Sequence, residues 1–96
     1  MERLREILRR ERRDELNFLR ELLEAIIYEK DVYSDELLFR DAVEEIYETL
    51  KALVFEKGRS DLIPAYEDAV LLRNLLARKV REPQEIMEDL IKKLEG

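Results

Sequence analysis

Ninety-six residues suffice for one small hydrophobic core but not for two domains. Eighteen Lys and Arg against 24 Asp and Glu leave a net charge of −6, which argues against a generic nucleic-acid binder. With no Cys and no His, disulfide frameworks, thiolate nucleophiles, Ser-His-Asp triads and ordinary zinc sites are excluded.

A first helix is expected over 2–30. Its second half carries Leu16, Leu19, Leu23 and Ile26 at helical spacing, with Leu22, Ile27 and Tyr28 widening that face. Its first half offers only Leu4, Ile7 and Leu8 before a charged run over 9–15 that cannot be core. That run reads as a solvated helix surface or a partner-facing arm, and residues 1–15 as a projecting helical arm. Ser34 is the expected N-cap of a second helix, with Asp35 and Glu36 favoured by the helix dipole, and Tyr33 and Leu38 placed for a hydrophobic staple. That helix continues through Phe39, Val43, Ile46, Leu50 and Leu53 and ends near Lys57, where Gly58 supplies a left-handed stop. A loop is expected over 58–63.

Pro64 suits the first turn of a third helix, expected over 65–81, with Ala69, Leu72, Leu76 and Val80 facing inward. Pro83 opens a fourth, over 83–95, that buries Ile86, Met87, Leu90, Ile91 and Leu94. No segment alternates like a strand. The pattern predicts an all-α, antiparallel four-helix bundle with two long and two short helices, forming a single domain over 1–96. Leu16, Leu19, Leu23, Phe39, Val43, Ile46 and Leu50 are its expected core and dimer surface. The two long helices exceed what the short pair covers, so a homodimer is expected.

Charged residues make up 44% of the chain, Gln occurs once and Asn twice, which fits a thermostable protein rich in ion pairs. A designed helical protein with no biological task shares that composition. Arg exceeding Lys, modest alanine content and the irregular central loop favour a natural thermophile. No apolar run approaches the roughly 18 residues a membrane span needs, and the charged N-terminus lacks a signal-peptide pattern. The expected location is cytoplasmic.

Glu44, Glu45 and Glu48, and likewise Glu85, Glu88 and Asp89, read as solvated helix faces rather than metal ligands. No cofactor, metal or small-molecule substrate is implied. Two basic islands break the acidic background. Residues 1–13 hold six Arg against three Glu, and 73–81 hold Arg73, Arg78, Lys79 and Arg81 with no acid. They read as ion-pair partners of the acidic second helix, or as a phosphate-contacting track. Cations at a helix C-terminus also complement its dipole.

The string Leu72-Arg73-Asn74-Leu75-Leu76-Ala77 resembles the motif helix of the HEPN superfamily, especially its HepT-like toxins. In that family an Arg, often followed by Asn, precedes a His by four to six residues, and HepT-like members add a Tyr two residues beyond the His. The resemblance extends to 36–58 and to the helix after Pro83. It implies a helical dimer in which two motif helices meet to form a composite RNase site, with a nucleotidyltransferase as antitoxin. Arg73 matches the motif Arg and Asn74 the residue after it. Arg78 stands at the His position and Val80 at the Tyr position. A guanidinium stays protonated and cannot act as the general base or acid, and Val80 has no hydroxyl to be nucleotidylated.

The sequence therefore predicts a non-enzymatic helical bundle that acts through protein contacts, as a homodimer and a degenerate HEPN-like protein. The competing reading is an RNA-binding or weakly RNase-active protein of the same type, with Arg73, Asn74, Arg78, Lys79 and Arg81 on the RNA.

Overall fold

The structure, a computed structural model, describes residues 6–7, 14–28, 35–74 and 82–94. Among these every regular element is helical. They comprise α1 (Glu15–Tyr28), α2 (Glu36–Phe55), a single 3-10 turn (Ser60–Leu62), α3 (Ile63–Arg73) and α4 (Pro83–Leu94). Glu6 and Ile7 are helical as well. Each α-helix packs against two others: α1 on α2, α2 on α3, α3 on α4, and α4 back on α1. No described helix is long and apolar enough to cross a membrane.

Helix α1 starts later than the apolar periodicity suggests. Asp14 is a bend, not a helical residue, so the expected unbroken helix over 2–30 is interrupted there. The Asp14 carboxylate accepts the Asn17 amide at 3.1 Å and its carbonyl accepts the Phe18 amide at 2.9 Å. A short acidic side chain that satisfies a first-turn amide favours starting a helix over continuing one. From there α1 buries Phe18, Leu19, Leu22, Leu23, Ala25 and Ile26, while Leu16 is half-buried against the same core. Ile7, inside the segment 1–15 read as a projecting arm, is 1% exposed and belongs to this core. Of the rest of that segment up to Arg13, Glu6 is exposed, and residues 1–5 and 8–13 lie outside the described ones.

The N-cap of α2 is Asp35 rather than Ser34. Asp35 has extended backbone angles, and its carboxylate accepts the Leu38 amide at 3.1 Å, the geometry expected of Ser34 moved on by one residue. Ser34 and Tyr33 lie outside the described residues. Phe39, Val43, Ile46, Leu50 and Leu53 are all buried, as their four-three repeat requires. Full burial of such a side chain contributes about 2 kcal/mol. At the other end Gly58 adopts φ +67°, and the Arg59 amide returns to the Leu53 carbonyl at 2.9 Å. The expected loop at 58–63 contains the 3-10 turn, which buries Leu62.

Helix α3 begins with Pro64 in its first turn, where the missing N–H costs nothing. Ala65, Ala69 and Leu72 face the core. The helix ends at Arg73 and not at Arg81. Asn74 is extended (φ −85°, ψ 109°), and its amide is shared between the Val70 and Leu71 carbonyls. Asn is a weak helix former that readily terminates a helix. Leu76, Val80 and the rest of the expected third helix lie outside the described residues. Helix α4 buries Ile86, Met87, Leu90 and Leu94, with Ile91 half-buried, as its spacing implies.

Candidate interaction face on the second and third helices

Where α2 and α3 lie side by side, their outer edges carry aromatic and charged groups that interlock. On α2 the exposed positions Glu44, Glu48, Lys51 and Phe55 follow one another by four, three and four residues, which makes one helical stripe. Tyr47 is half-buried beside it. On α3, Ile63, Tyr66, Val70 and Arg73 form a matching edge, Tyr66 half-buried and the others exposed.

The rings of Tyr47 and Tyr66 lie 5.7 Å apart at 32°. Phe55 meets Tyr66 edge-on, at 5.4 Å and 87°. Both separations fall in the range in which aromatic pairs attract beyond simple burial. The Arg73 guanidinium sits over the Tyr47 ring at 4.2 Å, and its Nε donates to Glu44 Oε1 at 2.5 Å. The Lys51 ammonium lies 5.8 Å from the same ring. Tyr47 is thus the centre of the cluster, approached by both cations.

Two ionisations follow from this geometry. The hydrogen bond to Glu44, aided by its charge, raises the Arg73 pKa further above its ordinary value. A hydrogen bond with the Tyr47 hydroxyl pushes the Tyr66 phenol up, and partial desolvation adds to it, while the Arg73 charge pulls the other way. Neither group is a candidate proton carrier near neutral pH, because both shifts lead away from that range.

Three of the large apolar side chains exposed among the described residues lie on this edge. Phe55 is 66% exposed, Ile63 41% and Val70 40%. The other two among the described residues, Tyr28 and Leu37, are more exposed still and lie at the end of α1 and the start of α2.

A second polar contact lies between α3 and α4. Asp68 is almost fully buried and accepts from Lys93 Nζ at 2.8 Å, while the Lys93 side chain remains 41% exposed. The burial of Asp68 follows from its place between Ala65 and Leu72 on the inner side of α3. Arg20 on α1 donates at 3.4 Å to the Leu94 carbonyl at the end of α4, though its Nε has no partner among the described residues. Lys57, after α2, pairs with Glu15 at the start of α1. Arg59 and Asp61 form a two-pronged pair across the turn, both bonds 3.0 Å. That contact holds the Asp61 carboxyl below its ordinary range and raises Arg59.

The residues expected on RNA are placed only in part. Arg73 is drawn onto Tyr47 and Glu44, and Asn74 follows it as an exposed, extended residue. Arg78, Lys79 and Arg81 lie outside the described residues. Of the expected core and dimer residues, Leu19, Leu23, Phe39, Val43, Ile46 and Leu50 are buried within a single chain and Leu16 is half-buried. Among the described residues no group of three acidic side chains could hold a metal ion. Phe55 and Asp68 were not singled out by sequence. The four-three-four stripe through Phe55, offset from the core repeat by one or two residues, was the available signal.

No family model, curated protein or solved structure matches this chain.

Proposed function

We propose that the chain is a non-enzymatic antiparallel four-helix bundle, acting in the cytoplasm through protein–protein contacts as a homodimer. The exposed aromatic edge of α2 and α3 is its contact surface. The observation that carries this reading is Phe55, an aromatic ring left mostly in water although it already packs edge-on against Tyr66. Large apolar side chains left exposed along one helix edge mark candidate interaction sites. Aromatic residues flanked by Arg are the groups that most often anchor protein interfaces.

The degenerate HEPN-like assignment belongs to the same reading. Arg73, the residue matched to the motif Arg, is occupied by Glu44 and Tyr47. Arg78 stands at the position of the catalytic His. A carboxylate already bound to a guanidinium must be displaced before phosphate can take its place, which favours a contact role over phosphate binding.

The test is size-exclusion chromatography with light scattering on the full chain, with and without a short single-stranded RNA. The expected result is a dimer whose elution RNA does not move. A peak shifted by RNA at low salt, and restored by Arg73→Ala, would replace this reading with RNA binding.

A further inference from the structure

We infer that the contact surface receives a second copy of this chain in one defined register. The two α2 helices run antiparallel about a two-fold axis between positions 48 and 51. This rests on the self-association proposed above and adds its geometry. The stripe Glu44, Glu48, Lys51, Phe55 reads four, three, four in either direction. A two-fold axis through its centre therefore superposes it on itself reversed, as an isologous helix pair requires. Position 48 then faces 51 of the other copy, and position 44 faces 55.

The charges agree with that register. Among the described residues Glu48 forms no ion pair, and Lys51 makes only its contact with the Tyr47 ring. Glu48 reaches the Arg73 charge only through space, and the symmetric pairing gives Glu48 and Lys51 each a direct partner of opposite charge, twice over. At the ends of the stripe, each Phe55 comes against the Glu44–Arg73 pair of the second copy. There the guanidinium already sits over the Tyr47 ring, and the Arg73 side chain, 45% exposed, is accessible to a second ring. A parallel pairing would instead set Glu48 against Glu48 and Lys51 against Lys51, at a cost in like-charge repulsion.

The experiment uses charge reversal on the full chain, followed by sedimentation velocity, with circular dichroism as the check on folding. Both positions are exposed, so Glu48→Lys and Lys51→Glu should leave the helical signal intact. Each variant alone sets like charges against each other at two places, and dimerisation should weaken about tenfold or more. An equimolar mixture of the two variants restores opposite charges at both places, and the dimer should return. A dimeric wild type whose single variants stay dimeric, or whose mixture shows no recovery, would overturn the register and leave self-association standing. A wild type that stays monomeric at high concentration would overturn both, and would give the face to a different protein.

Discussion

The Arg73 guanidinium lies 4.2 Å from the centre of the Tyr47 ring and ties the last residue of α3 to the middle of α2. A flat cation over an aromatic face is a contact that Lys reproduces poorly. Arg73→Ala and Arg73→Lys should both lower the melting temperature slightly, the Lys variant recovering only part of the loss. In a Tyr47→Leu background the difference between Arg and Lys should shrink. Thermal denaturation of the four single and double variants measures that coupling, and strictly additive losses would mean that the stack contributes nothing.

Asp68 and Lys93 are unequal partners, because the carboxylate is buried and the ammonium reaches water. Removing the lysine strands a charge inside, whereas removing the acid leaves a lysine that can turn outward. Lys93→Met should therefore cost about 2 kcal/mol, and Asp68→Asn clearly less. Urea unfolding of the two variants checks the order, and equal losses would contradict the asymmetry.

The two ends of α2 are each fixed by one residue. Asp35→Ala removes the acceptor for the Leu38 amide and should cost about 1 kcal/mol. Gly58→Ala meets open space but keeps φ +67°, so the expected loss, about 1 kcal/mol, comes from backbone strain alone. Chemical denaturation of both variants tests this. An unchanged midpoint for Gly58→Ala would show that the turn can relax out of its left-handed conformation.

Much of the fold was legible because local pattern and tertiary demand agree. The repeat from Phe39 to Leu53 buries every residue it marks, and α4 follows its spacing to Leu94. The boundaries were less legible. Residues 9–13 and 75–78 are mostly strong helix formers, so propensity alone argues for continuity through Asp14 and Asn74. The carboxylate cap at Asp14 and the extended backbone of Asn74 decide otherwise. The candidate face was the least legible part. Arg73 and Glu44 are 29 residues apart, and Asp68 and Lys93 are 25 apart. Only the register of α2, α3 and α4 brings these pairs together, and no local spacing encodes it.

The Tyr66 phenol ionises above its ordinary pKa of 10.0 because the Tyr47 hydroxyl holds its neutral form. A group raised on folding contributes stability that is fully present below its unfolded pKa and is lost as pH rises through the folded value. The α2–α3 edge should therefore loosen only in strongly alkaline solution. In a spectrophotometric titration Tyr47→Phe should move the Tyr66 ionisation down toward its ordinary value. A Tyr66 ionisation left unmoved by Tyr47→Phe would contradict this hydrogen bond.

Self-association through Phe55 is tested most directly by sedimentation equilibrium of the wild type and Phe55→Glu over a wide concentration range. Phe55 is largely in water already, so Phe55→Glu should fold as the wild type does. The expected result is a wild-type mass of twice the 11.6 kDa chain and a variant mass close to the single chain at the same concentrations. A wild type that stays at the single-chain mass would contradict the homodimer, and a variant that still dimerises would remove Phe55 from its interface.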